Sequence, residues 1–177
     1  MNNELECGLW DKDHVCLVAI NKLEEISLYH RETIPSDYLD IMGHMNIRWY
    51  MSLYDKATWN LFASHGLDEE YFRERHAGAF ALKHFINYFA EVRAGQTVAI
   101  RNRLLGRSDR RFHFMHFMIN ETTKQLASTI EALGTHADLK IRRAAPMPPE
   151  ITDKFDTQLA KDQQLDWAAP VSGVIQV

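Results

Sequence analysis

Asp37-Tyr38-Leu39-Asp40-Ile41-Met42-Gly43-His44-Met45-Asn46 is the stretch on which the reading of this chain turns. An acid, a glycine, a histidine and an asparagine stand together directly ahead of a helix-patterned run. From Ile47 onward apolar residues recur every three or four positions, at Trp49 or Tyr50, Leu53, Ala57 and Leu61, and His65-Gly66 supplies a stop. The spacing predicts a helix over 47–65, about 28 Å long at ~1.5 Å per residue. It is apolar on most of its circumference, so other structure must wrap it. Its start leaves backbone N–H groups unpaired and carries a partial positive charge. A carboxylate beside such an end can act on a carbonyl; it can also simply cap the helix or the turn.

Upstream, 26–34 reads as a strand ended by Pro35. Downstream, 67–76 is polar and suits a short helix or loop. After Gly78 the pattern changes to long strands over 79–90, 97–105, 111–120 and 126–141, separated by Gly95, Gly106-Arg107-Ser108-Asp109 and Glu121-Thr122-Thr123-Lys124. Short turns between long strands predict an antiparallel sheet. Both faces of 111–120 are apolar, which predicts a central strand covered on both sides. Pro146, Pro148 and Pro149 end the sheet, 150–164 reads as a charged amphipathic helix, and the tail beyond reads as mobile.

The fold class is therefore α+β, with one long helix wrapped by a five-stranded antiparallel sheet. The organisation is an N-terminal extension at 1–25, a main domain at 26–145, and a C-terminal helix and tail at 146–177. A single sheet around a single helix leaves an apolar outer face, so self-association as a dimer or tetramer is expected. Within 1–25, Val15, Val18, Ala19, Leu23 and Ile26 fit a helix, although 15–20 also fits a buried strand.

The bulk properties exclude several classes. At 177 residues one domain is expected, and a net charge of −4 without a basic stretch argues against nucleic acid as a partner. No apolar run approaches the ~18 residues that span a bilayer. The acidic start, Met1-Asn2-Asn3-Glu4, lacks the basic opening of a signal peptide, so the expectation is cytoplasmic. Cys7 and Cys16 fit two reduced thiols better than a disulfide.

The D-x-x-G-H-x-N order before the long helix, carried by Asp40, Gly43, His44, Asn46 and Tyr50, resembles the hotdog-fold acyl-CoA thioesterases of the 4-hydroxybenzoyl-CoA thioesterase type. The resemblance covers about 26–145. Phe85-Ile86-Asn87-Tyr88, Glu91-Val92, Gly95, Arg111-x-His113-x-x-His116, Leu126-Ala127-Ser128 and His136-x-Asp138 are similar to a subgroup that includes the thioesterase domain attached to some carnitine dehydrogenases. That subgroup has D-Y-N-G-H-M where this chain has Asp40-Ile41-Met42-Gly43-His44-Met45.

The resemblance implies hydrolysis of a small or medium acyl-CoA, or of betainyl-CoA, without a cofactor. It implies Asp40 as nucleophile or general base and the backbone N–H of Ile47 as the oxyanion donor. His44 then orients Asp40, touches the thioester or holds the loop, and Asn46 caps the helix. Tyr50 and Tyr54, with Trp49, Trp59 and Tyr88, are rings able to enclose a quaternary ammonium or simply to fill the core. His84, Asn87 and Glu131 are candidate polar groups of an acyl pocket. Arg107, Arg110 and Arg111 could pair with the phosphates of CoA. His113 and His116 lie three apart on a strand and so face opposite ways, so one metal cannot easily take both. The rival classes are a silent acyl-CoA-binding module and a hotdog dehydratase or hydratase.

Overall fold

The structure, a computed structural model, describes residues 18–177. Cys7, Cys16 and the 15–17 part of the uncertain N-terminal segment lie outside the described residues. In chain order the elements are α1 (Ile20–Leu23), β1 (Leu28–Thr33), a 3-10 turn (Ser36–Tyr38), α2 (Ile47–Ser64), α3 (Glu69–Arg75), β2 (Ala77–Tyr88), β3 (Thr97–Arg107), β4 (Arg111–Asn120), β5 (Gln125–Asp138), β6 (Arg143–Ala144) and α4 (Pro149–Asp162). The predicted helix ends one residue early, and the last long strand stops at Asp138 rather than 141. There the Asp138 carboxylate accepts from the Lys140 and Ile141 N–H groups and turns the chain.

The five long strands run in the order β1-β3-β4-β5-β2, every neighbour antiparallel, with the two-residue β6 added alongside β5. Helix α2 lies on the inner face, as expected for the hotdog arrangement. Its Tyr50, Leu53, Tyr54 and Ala57 meet Ile100, Met118 and Ile130. One helical turn further on, Leu61 and Phe62 join Phe112, Phe114 and, from α4, Ile151 and Phe155. Phe112 lies so close to the β5 backbone that a Cβ on Gly134 would sit 2.1 Å from its ring. Position 134 therefore accepts only glycine while that ring stays in place.

The outer face corrects one expectation. Alternation does place Met115, Phe117 and Ile119 there, but the chain's own ends cover them. Val18, Leu23 and Ile26 pack from the N-terminal side, and Leu165, Trp167 and Ala169 from the tail. Trp167 meets Phe117 edge-on at 5.7 Å, and its carbonyl accepts from Arg103, whose guanidinium lies over the indole at 4.3 Å. The tail read as mobile is thus a strap laid across the sheet. A row of bare apolar side chains lies instead on the edge strand β2, where Phe80, Leu82, Phe85 and Tyr88 are all exposed.

Candidate active site

The Asp40 loop is tied down by its own backbone. A bridge pairs Leu39 with Met45, the Asp40 N–H donates to the His44 carbonyl at 3.0 Å, and the Gly43 N–H donates to the Asp40 carbonyl at 3.0 Å. Gly43 has φ +84°, which a residue with a Cβ adopts only under strain. The Met45 N–H donates to Val92, fastening the loop to the segment before β3, and the Asn46 N–H donates to Tyr38 at the end of the 3-10 turn. Behind it, Tyr38 and Trp49 stack at 3.7 Å.

Within this frame one oxygen of Asp40 accepts the Met42 N–H at 2.8 Å. The other lies 3.6 Å from His44 Nδ1, too long for a hydrogen bond. The Asp40 side chain is mostly buried, at 16% exposure, so few waters compete for it.

The start of α2 is capped from within the chain. Asn46 is the N-cap: its side chain accepts from the Arg48 N–H at 3.1 Å and its carbonyl accepts from Trp49. The Asn46 N–H is itself engaged by Tyr38. The Ile47 N–H is the one donor of this first turn without an acceptor among the described residues. A positive helix end with one free N–H beside a carboxylate-bearing loop is suited to hold a developing oxyanion.

The chain belongs to the thioesterase-like superfamily. That family's profile matches residues 34–155, which include both the loop and the sheet. An Agrobacterium fabrum L-carnitine dehydrogenase/betainyl-CoA thioesterase is 31% identical over 76% of this chain, which spans 27% of that protein's length. A Pseudomonas aeruginosa betainyl-CoA thioesterase is 28% identical over 74% of this chain and 82% of its own. Among solved structures, a Staphylococcus aureus protein in complex with CoA superposes with a TM-score of 0.77 at 20% identity, over 86% of this chain and 96% of its own. The Synechocystis 1,4-dihydroxy-2-naphthoyl-CoA thioesterase does so at 0.64 and 15%, over 80% of this chain and all of its own. The likeness to these structures establishes the hotdog fold.

The remaining site candidates of this thioesterase-like chain separate into groups. Tyr50, buried, meets Tyr88 edge-on at 5.1 Å, and burial holds its phenol protonated, pushed up to about 12. Tyr54 is buried with a hydroxyl that has no partner among the described residues. His84 lines a cavity under the middle of α2. Asn87 pairs across the sheet with Thr129 and falls on the face opposite His84. Glu131 does not reach the helix side either. It is fully buried on the outer face, where it accepts from the strap's Ser172 N–H at 2.6 Å and lies 2.8 Å from His113 Nε2.

Of the arginines, Arg107 forms a two-pronged pair with Asp156 of α4, and Arg110 pairs with Asp109. Arg111 has no side-chain partner among the described residues. All three sit at the far end of β3 and β4, about 30 Å from the loop at ~3.3 Å per strand residue. Among the described residues no group of three or more His, Cys, Asp or Glu could hold a metal ion. His113 and His116 do face opposite sides.

Sequence reasoning passed over Asp55 and Thr58. With Met51 and Phe62 they mark a helix face at spacings of four, three and four, and all four line the cavity. A polar pair interrupting an otherwise apolar face was the available signal.

Proposed function

We propose that this protein hydrolyses a small acyl-CoA at the Asp40 loop, with Asp40 as the catalytic carboxylate and the Ile47 N–H as oxyanion donor. The observation that carries the reading is the free Ile47 N–H on a helix start whose neighbouring donors are all satisfied. As a base, Asp40 takes a proton from water, whose oxygen bonds to the thioester carbon. The carbonyl electrons move onto oxygen against Ile47, then return to expel the CoA thiolate, which is reprotonated. As a nucleophile, Asp40 attacks the thioester carbon, the CoA thiolate leaves and is reprotonated, and water then opens the acyl anhydride. His44, near the second carboxylate oxygen, orients it.

Two copies make the better enzyme. The exposed edge of β2 offers unpaired backbone groups to a second β2. Antiparallel pairing of the two edges would carry the partner's β3–β4 turn, with Arg111 available for phosphate, toward this chain's loop. The compartment proposed is the cytoplasm. A second reading, betainyl-CoA as the acyl-CoA, is supported by the names of the two curated relatives and by Tyr50, Tyr54 and Tyr88 clustered near the helix start.

The test is thiol release from an acyl-CoA panel by three proteins. Wild type should release thiol, and Asp40→Asn should lose on the order of 10²–10⁴ of kcat. Ile47→Pro removes the donor without harming the helix, because proline suits the first helical position and Asn46 is already extended at ψ 143°. It should lose about 3 kcal/mol of transition-state stabilisation. No release from any thioester would point to the binding module or the hydratase instead. Full activity in Ile47→Pro would remove the oxyanion assignment.

A further inference from the structure

Two hydrogen-bonded pieces of chain meet at Asn46. On one side the segment from Tyr38 to Asn46 folds back on itself as a small ladder. The Tyr38 carbonyl accepts from the Asn46 N–H at 2.9 Å, Leu39 bridges Met45, and the Asp40 N–H donates to the His44 carbonyl. On the other side α2 begins at Ile47, and the Asn46 side chain and carbonyl serve its first turn. Asn46 itself is extended, with φ −66° and ψ 143°, and forms the hinge between them. Asp40 is carried by the ladder and the Ile47 N–H by the helix. Their separation therefore depends on the angle at which the two pieces meet.

A side-chain contact spans that hinge. The Tyr38 ring, on the first rung of the ladder, stacks on the Trp49 ring, in the first turn of α2, with centroids 3.7 Å apart and planes 6° from parallel. Asp40 stands two residues after Tyr38 and Ile47 two residues before Trp49. The stack thus closes a loop of chain that contains both groups. The Tyr38 ring is itself anchored: its hydroxyl donates to Glu32 of β1 at 2.9 Å, and the same carboxylate accepts from Lys56 of α2 at 2.7 Å. Trp49 buries its indole N–H without a partner among the described residues, which costs stability. What the indole supplies at this place is its face, laid over Tyr38.

Building on the thioesterase reading, we infer that Tyr38 and Trp49 are positioning residues, whose stack fixes the angle at Asn46 and so holds the Ile47 N–H at its working distance from the Asp40 carboxylate. The rings act through the backbone and not on the substrate. Their effect falls on the chemical step, because misplacing a reacting group by about 1 Å can cost on the order of a hundredfold in rate.

The experiment exchanges each ring for phenylalanine, which keeps a flat face, and for leucine, which keeps apolar bulk without one. In the acyl-CoA panel, Trp49→Leu and Tyr38→Leu should lower kcat by about tenfold to a hundredfold and leave KM within about twofold of wild type. Trp49→Phe and Tyr38→Phe should keep kcat within about threefold. Crystal structures of wild type and Trp49→Leu read the geometry independently of turnover. The Ile47 nitrogen should move by about 1 Å or more relative to the Asp40 carboxylate, or residues 38–48 should lose order while the sheet keeps it. Absence of thiol release from every thioester, with that change present, would sink the thioesterase reading and leave the positioning role standing. Full kcat in either leucine variant would overturn the inference, and so would an unmoved, equally ordered Ile47. A loss in the phenylalanine variants as large as in the leucine ones would overturn it too, since the stack would not be what matters. A raised KM at unchanged kcat would make the rings a substrate contact, and failure of both leucine variants to fold would make the stack a folding element; either result overturns the inference.

Discussion

Replacing His116 by glutamine should flatten the acid side of the stability profile. The imidazole is wholly buried on β4, stacked at 6.0 Å against Tyr54. The Asn102 amide donates to Nδ1 at 3.1 Å, so Nδ1 is the acceptor and Nε2 carries the proton that reaches Thr58 Oγ1 at 3.0 Å. Thr58 in turn donates to the Tyr54 carbonyl at 2.8 Å. A second proton on His116 would meet the Asn102 amide hydrogens and have no water. Burial accordingly pushes its pKa from 6.5 down to about 3.

The sign follows from which state takes up the proton first. As pH falls through 6.5, the unfolded chain protonates His116 and the folded chain does not, so stability is lost toward acid at about 1.4 kcal/mol per pH unit. Integrated from pH 7.5 to 5.0 this is about 2 kcal/mol, and moving the folded value up by a full unit hardly alters it. Urea unfolding at half-unit pH steps, at one protein concentration, measures it in both proteins. Across that window His116→Gln should lose about 2 kcal/mol less than wild type, whatever its stability at pH 7.5. Profiles parallel to within about 0.5 kcal/mol would refute a neutral buried His116.

Gly134→Ala drives a methyl into the Phe112 ring and should cost about 1–3 kcal/mol, read as a fall in Tm. Adding Phe112→Leu should return part of that loss, and strict additivity of the two changes would show that the ring is not the obstacle. Asn46→Ala removes the cap of α2 and should cost about 1 kcal/mol in a urea titration. Deleting 165–177 uncovers Met115 and Phe117, so size-exclusion chromatography should show a larger species than the full chain, or ANS fluorescence should rise. An unchanged elution volume with no dye binding would mean the strap covers nothing of consequence.

What could be read from the chain alone was whatever rests on period and punctuation. The Ile47–Ser64 helix repeats every three to four residues and the strands sit between glycine and polar turns, so existence and order were legible. Asn46 as a cap was legible for the same local reason. Pairings over long sequence distances were not. Arg107 looks available for phosphate until α4 brings Asp156 to it, 49 residues later. Glu131 could be assigned to a strand, but not to the face on which His113 and the strap's Ser172 wait for it. The covering of the outer sheet depends on Trp167 finding Phe117, and a short tail with a few apolar residues has no periodicity to announce such a contact. Asp55 was hidden because only the opposing rings of β4 turn an exposed helical acid into the rim of a cavity.

The hydrogen-bond chain from Tyr54 through Thr58 and His116 to Asn102 also solves a problem of angular indexing. A helix greasy on most sides slides and rolls against an apolar sheet with little preference among azimuths. The Thr58 hydroxyl fits one slot on that sheet, and a roll of α2 by a single residue, about 100°, would pull it out and strand two buried polar groups. The bearing of every other group on the rod is then fixed as well, including the direction in which the Ile47 N–H points, eleven residues away. A lesion at Thr58 or Asn102, far from the loop, would show as misaimed chemistry at an undamaged loop.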